Sequence, residues 1–439
     1  MDPELNRFTL RCSFPYLHGV YLAVNALPRS ALLVDGPVCA FTKAEQVFGT
    51  HDMQSDLLSS TSRHRIVHTR LHPDNLVDGN RDAFVEALRG LVEATFVEAV
   101  LTAPFPMAAL AGSPHENWCA PLAATSTKPI VHVPGLSLTA DWYQGYAQTL
   151  LALARQVPLP AATPDRDKVA IVGYFMDRNE EDHRGNVREM RRLLAALGLD
   201  LVTVWLGGVG VADLSRVAEA GTILSFPLGR AAAEAVAART GAAVVRCELP
   251  FGPDATARWL RQVGAATGRA AEAERVVAAG LAECGERLRW LVLKRLVHGR
   301  WAFAGDPWLM PGLCEIARFV GARVRLLVPW TVRETDFERP IEWPCPVMAG
   351  LHTGRLKEVL RDAAPDIDLV IGNYLVAEEH LIPRELGYME FGFPGLRHHA
   401  MHDEPYLGFA GLMCFAGRVA NCFQDLDLGP EAIVGMDAL

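Results

Sequence analysis

The chain has 439 residues, half of them hydrophobic and 21% charged, with a formal net charge of -9 at pH 7. That size and balance belong to a folded protein of two or three domains with a large apolar interior, and they exclude a disordered chain. The acidic excess, with no block of Lys and Arg beyond short helical clusters such as "REMRRL", runs against a phosphate-neutralising surface and excludes nucleic acid as a partner.

The first residues, "MDPELNRFTL", carry early acids and no apolar stretch of signal-peptide length. No segment reaches about 18 uninterrupted apolar residues, so a cytoplasmic protein with no membrane partner is expected. Nine cysteines, an odd number without the spacing of a disulfide framework, are expected as reduced thiols. Cys247, Cys284, Cys314, Cys345, Cys414 and Cys422 read as small buried hydrophobes.

In chain order, Cys12 precedes the apolar, helix-like run "SFPYLHGVYLAVNAL". The strand "SALLVDGP", the helix "RDAFVEALRGLVEAT" and the strands "FVEAVLTAP" and "KPIVHVPG" follow. The three prolines of "QVPLPAATPDRD" mark a boundary near residue 160. Beyond it, "KVAIVGYF" is a continuous apolar strand, "NVREMRRLLAALG" an amphipathic helix closed by Gly198, and "LDLVTVWLGG" a second buried strand. The rhythm repeats through "DLSRVAEAG", "TILSF", "GRAAAEAVAARTG" and "AAVVRCELPFG". After a second break near residue 290 it resumes with "RWAFAGDP", "WLMPGLCEIARFVG", "ARVRLLVPW", "RLKEVLRDA" and "IDLVIGNY". Continuous apolar strands joined by helices predict parallel sheets covered on both faces. The expected fold is α/β, with three doubly wound Rossmann-like domains at 1–160, 161–290 and 291–439, the last with C-terminal helices.

In such sheets ligands lie beyond the carboxyl ends of strands. Four loops stand there: "DGPVC", "LGGVGVAD", "AGDPW" and "IGNY". Gly207, Gly208 and Gly210 suggest a phosphate loop only superficially, because neither G-x-G-x-x-G nor the acid about 20 residues on is cleanly present; a plain tight turn is the other reading. Cys12 and Cys39, 27 residues apart, stand at the entrances of two helices, where the helix dipole favours the thiolate that binds iron. Their loops can converge at one end of a sheet, although no C-x-x-C sharpens the reading. His64 and His68 in "SRHRIVHT" have the i, i+4 spacing of a helical metal pair or of ordinary surface histidines. The segment "LRHHAMHDEP" offers His398, His399 and His402 as catalytic proton donors, or as a polar capping loop.

With these residues in place, the chain resembles a subunit of the nitrogenase component 1 family, which includes molybdenum-iron protein subunits, cofactor-assembly scaffolds, and dark-operative protochlorophyllide and chlorophyllide reductases. The resemblance covers nearly the whole chain. It rests on Cys12 and the Gly19-containing helix, "VDGPVC", "GNVREMRRLLAALGL", "FAGDPWLMPGLCEIARFVGARV", "IDLVIGN", and "EFGFP" followed by "PYLGFAG".

The resemblance implies an iron-sulfur cluster, 4Fe-4S or larger, at the interface with a homologous second subunit. It places Cys12 and Cys39 as metal ligands, with Gly36 and Pro37 forming the tight turn of the cofactor-binding loop. The third family cysteine is missing from "TAPFPMAALAG". Cys119 in "PHENWCAPL" is the candidate replacement, alongside a non-cysteine ligand, a ligand from the partner, or Cys119 as a buried thiol beside Trp118. The places of the nitrogenase cofactor ligands fall near Ser225 and at Leu407, neither a firm metal ligand.

The implied function is that of a reductase subunit fed by an ATP-hydrolysing iron-sulfur reductase and acting on a small organic or tetrapyrrole-type molecule, with Trp142, Tyr143, Met107 and "FGFP" as candidate cavity walls. The alternatives are a non-catalytic scaffold for assembly of a metal cofactor, and an iron-free Rossmann-type nucleotide binder such as a nucleotide-sugar transferase.

Overall fold

The computed structural model describes residues 14–47, 49–61, 63–76, 80–331, 337–378, 382 and 386–427. Among them the strands form three parallel sheets of four. The first contains β1 (Ser30–Asp35), β2 (Ile66–His68), β3 (Ala99–Pro104) and β4 (Ile130–His132). The second contains β5 (Asp165–Val172), β6 (Asp200–Val204), β7 (Ala220–Ser225) and β8 (Ala243–Arg246). The third contains β9 (Arg300–Gly305), β10 (Arg323–Pro329), β11 (Leu369–Gly372) and β12 (Gly387–Glu390). Helices flank all three, so the α/β class with doubly wound parallel sheets is what the chain adopts.

Each sheet repeats one strand order: the second strand, the first, the third and the fourth. The order reverses between the first and third strands, and there the loops diverge to leave a crevice. The three crevices lie beyond Asp35 and Pro104, beyond Val172 and Ser225, and beyond Gly305 and Gly372.

Two compact units contain these sheets. One comprises Phe14–Val187 and Gly198–Cys247 and holds the first two; the other takes in Arg188–Leu197 and the described residues from Glu248 onward, and holds the third.

Local sequence accounts for the core of the first sheet. All six residues of β1 are buried, as a strand covered on both faces requires. Helix Arg81–Glu93 buries Phe84, Leu88 and Leu91, spaced by four and three, against Ala31, Leu33, Val100 and Ile130. Helix Trp142–Gln156 is capped by Asp141, whose carboxylate accepts the Gln144 N–H at 3.1 Å.

That helix crosses helix Tyr16–Asn25 with backbones nearly touching. A Cβ at Gly19 would stand 1.7 Å from the Trp142 carbonyl oxygen, and one at Gly145 would stand 2.0 Å from that of Tyr16. The obstacle is backbone on both sides, so no rotamer change relieves it. Gly145→Ala is therefore expected to cost at least about 2 kcal/mol. Gly90→Ala, on a helix with nothing within 4 Å, should be neutral or stabilising by about 0.5–1 kcal/mol. Urea unfolding of the two variants checks this, and equal midpoints would show that the helices can move apart.

Candidate functional site

The first crevice is built on Asp35, the buried last residue of β1. His115 Nε2 lies 2.7 Å from Asp35 Oδ2, while Thr69 Oγ1 and Asn80 Nδ2 donate to Oδ1 at 2.7 and 3.0 Å. Burial alone pushes this carboxyl up. The hydrogen bonds from His115, Asn80 and Thr69 outweigh that and hold it below the usual carboxylate range. Thr69 Oγ1 also accepts the Gly36 N–H at 3.1 Å, and the Gly36 carbonyl accepts the Leu71 N–H at 3.0 Å. A Cβ at Gly36 would meet Phe105 Cβ at 2.7 Å, so only glycine fits where the two crevice loops touch.

From this anchor Pro37 and Val38 lead to Cys39, which is exposed. The Pro37 and Cys39 carbonyls accept from Ala40 and Thr42, and helix Ala40–Val47 starts at once. Tyr21 Oη donates to the Ala40 carbonyl at 2.8 Å, and the Lys43 ammonium lies 5.7 Å from the Phe105 ring centre. Burial lowers the Lys43 pKa, against the opposing pull of the nearby Cys39 sulfur. The crevice thus presents a thiol to solvent on a turn held from beneath by a buried polar network.

Cys12 falls outside the described residues. Cys119 is 5% exposed on helix His115–Ala123, in the apolar cluster with Phe84, Trp118 and Ile130. Its sulfur is 3.6 Å from Thr102 Oγ1, itself 2.9 Å from His132 Nδ1. Burial pushes the Cys119 thiol up and the His132 imidazole down to about 4, so both are neutral at pH 7. Among the described residues no group of three or more His, Cys, Asp or Glu side chains is arranged to hold a metal ion. A 4Fe-4S cluster takes four thiolates. The donor chemistry of Cys39 fits iron, and the described residues by themselves do not complete the set.

The second crevice holds a buried assembly that sequence reading passed over. His183 Nε2 lies 2.8 Å from Asp177 Oδ1, and His51 Nε2 lies 3.2 Å from the Asp177 carbonyl oxygen and 3.7 Å from Oδ1. Tyr174 Oη is 2.9 Å from His183 Nδ1 and accepts from Asn186 at 3.0 Å. Alongside, Asp52 Oδ2 accepts from Asn25 Nδ2 and from the Asn179 N–H and Nδ2 at 2.6, 2.8 and 3.0 Å. The available signal was "MDRNEEDH", a charged run directly after an apolar strand.

At the third crevice Asn373 Nδ2 donates to the Phe393 carbonyl at 2.6 Å. His398 and His402 each place Nε2 3.0 Å from a different oxygen of Glu404, while His399 is half-buried. Glu390 Oε1 accepts the backbone N–H groups of Leu396, Arg397 and His398 at 2.9, 3.0 and 3.0 Å. These contacts clasp the loop to itself. Ser225, Leu407, Trp142 and Tyr143 are all fully buried.

His64 and His68 do not form a helical pair. Ile66–His68 is strand β2, and both imidazoles pack edge-on against Phe41, with ring centres 5.5 and 4.9 Å away. The glycines at 207, 208 and 210 make a turn into the four-residue helix Val211–Leu214. No described helix is long and apolar enough to cross a membrane.

The sequence profile of the family described as nitrogenase component 1 type oxidoreductase matches residues 15–424. The chain is 28% identical over 210 residues to one of the subunits of the light-independent protochlorophyllide reductase of Chlorobium phaeovibrioides; the match takes in 47% of this chain and 34% of that relative's length. Two solved structures share the fold. One titled "Nitrogenase Cp1 at pH 6.5" has a TM-score of 0.76 at 15% identity, covering 95% of this chain and 93% of its own. One titled "Nitrogenase Cp1 at pH 5" has a TM-score of 0.68 at 12% identity, covering 98% and 92%. With a profile running from the first described helix almost to the last described residue, the chain belongs to the nitrogenase component 1 type oxidoreductase family.

Proposed function

We propose that this chain is one subunit of a nitrogenase-like reductase complex, which receives electrons from an ATP-hydrolysing iron-sulfur reductase and delivers them to a small organic or tetrapyrrole-type substrate. The observation that carries the reading is the exposed Cys39 thiol at the first crevice, on a turn anchored by Asp35. Cys39, together with Cys12, would hold an iron-sulfur cluster shared with a homologous second subunit, which supplies the remaining ligands.

The cluster supplies one-electron storage and transfer, at a potential set by ligands, hydrogen bonds and burial. This chain's own residues fix the position of the thiol. Asp35, Thr69, Asn80 and His115 hold the turn, and Tyr21 fixes the first residue of the helix that follows. The protochlorophyllide reductase relative supports the tetrapyrrole part of the proposal.

Anaerobic purification of the chain with its co-purifying partner, followed by iron and sulfide analysis, tests it. The expected result is a brown, oxygen-sensitive complex, with the chain alone binding iron poorly. A colourless, iron-free complex would refute the reading, and full cluster occupancy in the isolated chain would refute the shared ligand set.

A further inference from the structure

The sequence has 51 acidic residues against 42 Lys and Arg, yet five arginines gather around one groove beside β10. Arg258 comes from helix Pro253–Thr267, Arg318 from helix Met310–Phe319, Arg323 and Arg325 from β10, and Arg339 from the segment that follows. Two carboxylates, Glu315 and Glu342, share the lining of a volume of about 680 Å³, and three more, Glu248, Asp254 and Asp366, pair with its arginines from outside the lining. Between the guanidiniums the wall is apolar, with Ala317, Val324, Ile341 and Trp343.

The groove takes its shape from an edge strand and an aromatic pair. β10 is one of the two edge strands, and its register with β9 skips from Val324 to Leu326, so Arg325 is the bulged residue. Bulges re-aim side chains, and this one leaves Arg325 exposed between two buried neighbours. The Trp343 indole is half-buried, and its plane is inclined 69° to that of Phe337, with ring centres 5.6 Å apart.

Three of these arginines are held only in exposed ion pairs. Arg318 pairs with Asp254, Arg325 with Asp366, and Arg339 with Glu248 at 3.1 Å, all through arginine side chains at least 40% exposed. Such pairs contribute only about 0–1 kcal/mol, so an incoming anion displaces or shares them at small cost. Each guanidinium offers five N–H donors, more than one carboxylate can engage. Arg258 bridges Glu248 and Glu315 at 3.0 and 2.7 Å and stays in place as the half-buried wall. Arg323 has no ion pair among the described residues.

We propose that this groove binds an organic polyanion with a planar aromatic body, of the nucleoside polyphosphate class. The guanidiniums of Arg318, Arg323, Arg325 and Arg339 engage phosphate oxygens in paired hydrogen bonds, and the Trp343 face with Ile341 receives the ring. The site lies on the third sheet and does not depend on the reductase reading.

The full chain, freed of nucleotide, is titrated calorimetrically with ATP and separately with inorganic tripolyphosphate at low salt. Binding of both is expected, with ATP tighter by about 10-fold, the contribution of one stacked base. Trp343→Ala should remove that advantage and leave tripolyphosphate affinity unchanged. Arg323→Glu should weaken both ligands by at least about 10-fold without altering the melting temperature, and Arg339→Ala serves as a second variant should Arg323→Glu perturb folding. Absence of ATP binding, or ATP binding indifferent to both arginine variants, overturns the site. Equal affinity for ATP and tripolyphosphate overturns its aromatic half.

Discussion

If the proposed function holds, Cys39→Ala is expected to abolish the interface cluster and the ATP-dependent reduction of the complex while leaving the chain folded. The side chain is exposed, so a methyl in place of the thiol leaves no cavity. The turn beneath is held by Asp35, Thr69 and Leu71, through hydrogen bonds that do not involve the sulfur. Losing a direct ligand should exceed the roughly 10–100-fold effect of losing an outer-shell partner, so iron and reduction should both fall to background. Cys119→Ala gives the contrast. That thiol packs against Phe84, Trp118 and Ile130, and its loss is expected to lower the melting temperature and spare the iron. Iron and sulfide per complex, with the electron paramagnetic resonance signal of the reduced sample, decide between the two. Persistence of the cluster in Cys39→Ala would dismiss this thiol as a ligand.

Much of the fold was legible because its signals are local. The continuous apolar run of β1, the Phe84, Leu88 and Leu91 stripe, and the glycine that closes helix Glu181–Ala196 each declare one element within a few residues. Strand-ending loops were legible for the same reason. "DGPVC", "AGDPW" and "IGNY" all follow strands that flank a reversal of strand order, whereas "LGGVGVAD" follows β6, an edge strand.

Long-range pairing was not legible. His51 and Asp177 are 126 positions apart and look unrelated until helices and strands bring them together. Asp35 and His115 are separated by 80. Of the two readings of the i, i+4 spacing of His64 and His68, the helical pair fails because the residues leading to His68 form a strand, which does not bring i and i+4 together as a helix turn does. The same spacing between His398 and His402 does carry a relation, but through Glu404, which both contact.

The largest loss of stability is expected from Asp177→Ala. Asp177 and His183 are 5% and 3% exposed, and removing one member of a buried ion pair typically costs about 3–5 kcal/mol because the other is left uncompensated. Burial pushes the Asp177 carboxyl up, but His183 and His51 hold it far below the usual carboxylate range. Burial pushes His183 down, and Asp177 with Asp182 raises it above its ordinary value. Arg178 also faces His183 and works against protonation, while Arg178 itself is pinned by Asp182.

The two shifts set a pH window. Asp177 contributes fully above its unfolded pKa of about 3.9, and the contribution is lost as pH falls through the lower folded value. His183 contributes fully below its unfolded pKa of about 6.5, and that contribution is lost as pH rises through the raised folded value. The pair therefore stabilises most between about pH 4 and 6.5, and raising the pH from 6.5 toward 9 should weaken the wild-type unit. In Asp177→Ala the decline above pH 6.5 should flatten, since the charge that raised His183 is gone. Combining Asp177→Ala with His183→Leu should cost less than the sum of the single changes, because the orphaned imidazole is removed along with its partner. Urea unfolding of the four proteins at pH 5, 6.5 and 8.5 measures both effects. A loss below about 1 kcal/mol for Asp177→Ala, with an unchanged pH slope, would mean that the imidazole and carboxylate are not an ion pair in solution.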